Sequence, residues 1–293
     1  MTTGFRGVFP VLYAYFSENG VDRSAMARQV DAVVGAGAHG IAVLGLATEV
    51  NKLSLAERHV VLETVAQALR RRRPLAVTIA EATVQGQIDF VRAAERAGAA
   101  WVILQPPPVR DVSEGELIRF FGAVADAAGV PVAIQNAPQY LGVGLSNAGI
   151  AALHRAHPNV LLVKIEDPPR HVASLIEATA GAVDVFVGRA GIELPDVLRA
   201  GAVGTIPATE ACDRLVRSFD LLGPDPAASE AAYREALPVL AFLEVSINHL
   251  VTAGKEIMAR RMGLDRVLHR LPAELTPAVR AAIERHAVAL GPL

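Results

Sequence analysis

Cysteine is nearly missing from this sequence: Cys212 is the single one in 293 residues. One thiol cannot form an internal disulfide, so the fold must rest on a buried apolar core, and the composition suits a reducing compartment. Lysine is almost as scarce, with Lys52, Lys164 and Lys255 set against 25 arginines. Net charge is only −2, and a near-neutral chain lacks the concentrated basic face that phosphate binding needs. No apolar run approaches the ~18 residues of a membrane span. Met1–Gly20 has neither the basic start nor the apolar middle of a signal peptide. These absences predict a soluble, cytoplasmic protein with no nucleic-acid or membrane partner.

What is present is a rhythm. Hydrophobic residues make up 52% of the chain, and short runs rich in Val, Ile and Ala recur along it. They are Gly7–Tyr13, Gly40–Leu46, Pro74–Ala80, Ala100–Gln105, Pro131–Asn136, Val160–Ile165, Val183–Gly188 and Ala202–Ile206. Most are apolar throughout, as parallel strands covered on both faces require. Helical stretches separate them. Asp22–Ala36 has an acidic cap, Ser54–Arg73 opens on the capping-box pattern Ser54-Leu55-Ala56-Glu57, and Ser113–Ala128 opens on Ser113. An Ala-Gly-Ala triplet at 36–38, 97–99 and 200–202 places a glycine where a helix gives way to a strand. Eight βα units predict a (β/α)₈ barrel over residues 1–222. The rest, 223–293, has no strand-like run and reads as a helical extension of the same domain.

Function in such a barrel sits at the C-terminal ends of the strands and in the loops after them. Those ends bring Tyr13, the Gly45–Glu49 loop, Thr78, Gln105, Gln135, Lys164 with Glu166, Gly188-Arg189 and Pro207 to one face. Lys164 stands out as a lysine inside Val160–Ile165, in a chain that otherwise prefers arginine. Two readings stay open on the residues alone. A desolvated amine with a lowered pKa can attack a carbonyl and form a Schiff base; a strand-end lysine can equally pair with Glu166 or Asp167.

Other candidates favour structural readings. Arg70–Arg73 is a solvated helix end rather than a nucleic-acid site. The scattered histidines, His154 and His157 included, show no metal-ligand spacing, so no metal is expected. Tyr13 is at least as readily a buried structural tyrosine as a site hydroxyl, Lys52 reads as solvated or salt-bridged, and Cys212 as a small core residue.

The ordered set Gly7–Pro10, Gly45-Leu46-Ala47-Thr48-Glu49, Asn136-Ala137-Pro138, Lys164 and Arg270-Leu271-Pro272 resembles the dihydrodipicolinate synthase and N-acetylneuraminate lyase family. These are class I Schiff-base lyases on a (β/α)₈ barrel with a C-terminal helical extension. The resemblance implies that Lys164 condenses with a 2-oxo acid. It implies that backbone N–H groups near Ala47 and Thr48 hold the substrate carboxylate, and that the main chain of Ile206 lines the pocket. Gly188 and Arg189 would line the cavity towards the distal part of the substrate. No cofactor is implied beyond the covalent lysine, and a homo-oligomer, tetramer or dimer, is expected.

The departures from that family pattern are informative. The proton-relay tyrosine is Gln135, the tyrosine pair after the fourth strand is Pro107-Pro108, the two loop threonines are Leu46 and Ala47, and the arginine for the aldehyde acid falls at Tyr140. An amide has no accessible pKa and cannot relay protons as a phenol does. Gln135, Lys164-Ile165-Glu166 and Arg6–Pro10 resemble the 2-keto-3-deoxy sugar-acid dehydratases, notably those for L-2-keto-3-deoxyarabonate. The expected catalytic residues are therefore Lys164, Gln135 and Tyr140, with Thr48, Glu166 or a water as further proton carriers. Dehydration is preferred over a pyruvate-dependent aldolase or 4-hydroxy-tetrahydrodipicolinate synthase. A non-catalytic 2-oxo-acid binder is the reading from a different class.

Overall fold

The computed structural model describes residues 3–270 and 275–293. Leu271 and Pro272 of the closing motif lie outside the described residues. In chain order, β1 (Gly7–Val8) is followed by a small hairpin, β2 (Phe16–Ser17) and β3 (Gly20–Val21), and by α1 (Arg23–Gly35). Then come β4 (Ile41–Val43), α2 (Leu55–Leu69), β5 (Leu75–Ile79), α3 (Val84–Arg96), β6 (Trp101–Leu104), α4 (Glu114–Ala125) and β7 (Val132–Asn136). The short α5 (Pro138–Leu141) and α6 (Asn147–Ala156) precede β8 (Val160–Ile165), α7 (Pro169–Ala178), β9 (Asp184–Val187), α8 (Leu194–Arg199), β10 (Gly204–Thr205) and α9 (Cys212–Leu221). The extension holds α10 (Pro226–Leu243), α11 (Ile247–His249), α12 (Lys255–Arg261) and α13 (Pro277–Leu290).

The eight parallel strands run in the order β1-β10-β9-β8-β7-β6-β5-β4. The ring closes through the chain just after β1, where the Leu12 N–H donates to the Ala42 carbonyl at 3.0 Å and the Ala42 N–H to Pro10 at 2.9 Å. Each expected apolar run supplies one strand of the barrel. The first and last are much shorter as ladders than as sequence runs, and the hairpin β2–β3 was not foreseen. Its strands are two residues each, too short for any period to show.

Local chemistry explains the helix ends. Ser54 and Ser113 each form a full capping box, with Glu57 and Glu116, and the Asp22 carboxylate caps α1. Helix α2 stops at Leu69, earlier than expected, because Arg70 and Arg71 both take left-handed backbone (φ 49° and 56°). The central glycines of the three Ala-Gly-Ala triplets have φ of 86°, 89° and 102°, a region that costs other residues free energy and glycine almost none.

Inside the barrel, Phe9, Trp101 and Phe186 pack ring on ring with centroids 5.4–5.7 Å apart; such pairs contribute roughly 0.5–1.5 kcal/mol each beyond burial. Register partners on neighbouring parallel strands share a face, so Gln135 and Lys164, paired across β7 and β8, belong to the same side as Phe186, which pairs Lys164 from β9. The extension lies against this barrel. The buried Arg261 of α12 donates to the Glu210 carbonyl at 2.6 Å and to Asp213 at 2.9–3.0 Å. A π-helical turn at Leu250–Gly254 brings Gly254 against the Tyr13 hydroxyl, too close for any side chain there. No single helix among the described residues is long and apolar enough to cross a membrane.

Candidate active site

A narrow cleft opens at the C-terminal end of the barrel. Its floor is apolar: Val11, Leu46, Ile206, Pro207 and Ala208 from the barrel, with Ile247 and Leu250 from the extension. Its polar wall is Lys164, Glu166, Arg189, Tyr140 and Glu244. A roomier hollow lies near Arg71–Pro74 and Gly98, at the opposite end of the barrel. None of the strand-end groups lines it.

Lys164 is buried in the cleft wall and its ammonium donates to Glu166 Oε1 at 2.6 Å. Of the two partners considered from sequence, Glu166 is therefore the one present; Asp167 pairs instead with His171 at 3.1 Å. The second oxygen of Glu166 accepts from the Arg189 backbone N–H at 2.5 Å. A Cβ on Gly188 would fall 2.2 Å from both carboxylate oxygens, so only glycine lets Glu166 lie there. The strand-end loop that delivers this amide has Arg189 and Ala190 in left-handed backbone, φ 48° and 51°. Two adjacent residues of that kind are strained and commonly mark a site.

The loop after β4 behaves differently at its two expected anion donors. The Thr48 N–H bonds the Gly45 carbonyl at 3.0 Å and its hydroxyl turns inward to Leu12 O at 2.6 Å. Thr48 thus braces the loop with both its N–H and its hydroxyl engaged. Ala47 lines the cleft, and the N–H groups of Leu46 and Ala47 have no acceptor among the described residues. Ile206 lines the cleft as expected, its N–H held by Val187 O at 2.9 Å.

Gln135 lies beside Lys164 in register but does not line the cleft. Its Oε1 accepts from Gln105 at 2.9 Å and its buried Nε2 has no partner. Tyr140 does line the cleft. Asn136 positions it by clamping Leu145 in both directions, at 2.8 and 2.9 Å, across the loop that carries α5. Burial and the neighbouring Glu244 push the Tyr140 phenol above its ordinary value, so it keeps its proton.

Structural readings hold for the remaining candidates. Tyr13 is fully buried with its hydroxyl on Glu210 at 2.7 Å, Lys52 pairs with Glu49 at 3.0 Å, and Cys212 is buried with its thiol pushed far up by burial. His154 and His157 are spent on Val160 O and Asp126. Among the described residues no three His, Cys, Asp or Glu converge as a metal site would need. Sequence reasoning missed Glu244. It closes a helix 80 residues beyond Lys164 in the chain, and no motif or spacing marks it.

A lysine–carboxylate pair lining a cleft at a strand end of a (β/α)₈ barrel, beside a helical extension, is the arrangement of a barrel enzyme. The Dihydrodipicolinate synthetase family model matches residues 4–274, and the chain belongs to that family, whose members are lyases. It is 30% identical over 212 residues to the L-2-keto-3-deoxyarabonate dehydratase of Azospirillum brasilense, covering 70% of this chain and 68% of that one. It is 32% identical over 208 residues to the 4-hydroxy-tetrahydrodipicolinate synthase of Thermus thermophilus, covering 70% and 69%. Among solved structures, YagE of Escherichia coli K12 in complex with pyruvate superposes with a TM-score of 0.87 at 23% identity, over 98% of this chain and 99% of that one. That likeness is one of fold.

Proposed function

We propose that the protein is a cofactor-free Schiff-base lyase for pyruvate-like 2-oxo acids, and that it dehydrates a 2-keto-3-deoxy sugar acid. The observation that carries this reading is the Lys164–Glu166 pair in the cleft wall, with two unpartnered amides of the 46–47 loop lining the same cleft. Those amides would hold the substrate carboxylate. Glu166, 2.6 Å from the ammonium, takes the proton that must leave Lys164 before its nitrogen attacks C2. The Glu166 carboxylic acid returns that proton to the C2 hydroxyl of the carbinolamine, which leaves as water to give the iminium. The iminium acidifies C3, whose proton passes to the Glu166 carboxylate as the enamine forms. The enamine electrons expel the C4 hydroxyl, which leaves as water with a proton from the Glu166 carboxylic acid. Hydrolysis frees the product and restores Lys164.

Glu166 thus ranks first among the proton carriers. Thr48 is engaged elsewhere, Tyr140 holds its proton, and Gln135 cannot titrate. The T. thermophilus relative leaves a condensing synthase as the second reading, and an amide, Gln135, as the register neighbour of Lys164 favours dehydration over it. Assembly into a dimer or tetramer belongs to the same reading and is checked by light scattering.

Borohydride reduction in the presence of pyruvate, followed by intact mass and peptide mapping, tests the chemistry. An adduct on Lys164 supports it. No adduct with pyruvate or a keto-deoxy acid favours a non-catalytic binder. Semialdehyde formation from keto-deoxy acids then separates dehydration from condensation.

A further inference from the structure

The cleft has a second polar feature beyond the Lys164–Glu166 pair. Glu244, the residue that ends α10, is half-buried and lines the cleft opposite the barrel strands. Among the described residues its carboxylate makes no hydrogen bond or close ion pair; burial, Glu166 and Glu193 oppose its charge, and Arg189 nearby favours it. Arg189 gives its Nε to Glu193 at 2.8 Å. Lys164 and Arg189 each have a close carboxylate partner, Glu166 and Glu193, so Glu244 is the cleft carboxylate without a close ion pair among the described residues. A half-buried acceptor without a donor is costly, and here it borders a space where a ligand can supply donors.

We infer that Glu244 is a specificity-determining residue: it accepts hydroxyl groups from the uncharged tail of the substrate and rejects a tail ending in a second carboxylate. The inference rests on reading this cleft as the 2-oxo-acid site. With the acid end at the 46–47 amides and C2 at Lys164, the far end of a five- or six-carbon chain lies towards the extension, where Glu244, Tyr140 and Arg189 meet. A hydroxylated tail gives Glu244 the donors it lacks. A carboxylated tail adds a charge like that of Glu244, and the two cations of the wall, Lys164 and Arg189, are each already paired with a carboxylate. The extension, rather than the barrel, would then set which acids turn over.

Calorimetric binding of two unreactive probes to wild type, Glu244→Gln and Glu244→Ala tests this: a five-carbon aldonate, hydroxylated and without a ketone, and 2-hydroxyglutarate, a diacid. In both variants aldonate binding should weaken roughly tenfold to a hundredfold, the scale of one lost charge-assisted hydrogen bond, while the diacid binds more tightly than to wild type. Any loss in borohydride trapping of pyruvate, which has no tail, should be at least tenfold smaller than the aldonate loss. Equal losses in both would show a structural role and overturn the inference, as would aldonate affinities unchanged by the variants, aldonate failing to bind wild type, or a diacid that binds wild type as well as the variants. The probes need no imine, so the outcomes separate. If wild type traps no pyruvate yet the probes respond as stated, the lyase reading fails and the role of Glu244 stands.

Discussion

Lys255 is more deeply buried than Lys164, and its ammonium is paired with Glu49, whose backbone is left-handed at φ 60° at the end of the 45–49 loop. The extension therefore holds the shape of the loop that offers the Leu46 and Ala47 amides. Burial pulls the Lys255 pKa down while Glu49 pulls it back up. Rarity and burial alone would nominate either lysine for imine chemistry. What separates them is access, since Lys164 lines the cleft and Lys255 does not. Lys255→Met leaves buried Glu49 with Lys52 as its one remaining cationic partner among the described residues, and we expect it to cost about 3 kcal/mol in urea denaturation, the low end for breaking a buried pair. Adding Glu49→Gln should recover a large part. A double variant no more stable than the single would show that the pair is not coupled.

Replacing Glu166 by Gln should keep the fold, because an amide oxygen still accepts the Arg189 N–H. It removes the proton acceptor at 2.6 Å from Lys164. Single-turnover kinetics on a keto-deoxy acid should slow by about 10²–10⁴-fold, the usual contribution of a positioned acid–base group. Near-wild-type rates would move the proton work to another group.

Gly188→Ala tests the seat of that carboxylate. The new methyl would lie 2.2 Å from both Glu166 oxygens, so Glu166 must leave its position. With a melting temperature close to wild type, kcat should fall on the order of 10²-fold, the scale of an ångström-sized misplacement. Full activity would mean that the acid works from more than one position.

Acid should loosen the extension at a predictable place. The hydrogen bonds from Arg270 hold the Glu57 carboxyl down, from 4.5 to about 2, and Arg270 also donates to Lys52 O at 2.8 Å. A carboxyl with a lowered folded pKa binds fewer protons folded than unfolded. Its contribution is present above 4.5 and lost as pH falls towards 2. The group is partly exposed, so the effect is modest. Arg270→Met should flatten the decline of stability across that window in urea titrations at stepped pH; an unchanged slope would remove Glu57 from the account of acid sensitivity.

Much of this could be read along the chain. Apolar runs flanked by capping serines and Ala-Gly-Ala triplets specify strands and helix ends within a few residues, so the barrel and its helical tail were legible. Lys164, Ala47, Ile206, Arg189 and Tyr140 reach one cleft because barrel strand ends share a face. The side-chain partners of Thr48 and Gln135 were not legible for one reason: which way a side chain or an amide points within a turn or a strand end depends on neighbours far off in sequence. Leu12 claims the Thr48 hydroxyl and Gln105 claims the Gln135 carbonyl.

The sequence alone determined the periodicity, the caps and the lysine at the end of the sixth barrel strand, because those are local and repeat at fixed spacing. Tertiary structure alone decided that Glu166 meets Lys164 over Gly188, that Lys255 is consumed by Glu49 across 206 residues of chain, and that Glu244 faces the cleft. Such pairings are made by closing the barrel and folding the extension over its mouth, and no short-range pattern encodes where two distant segments come to rest.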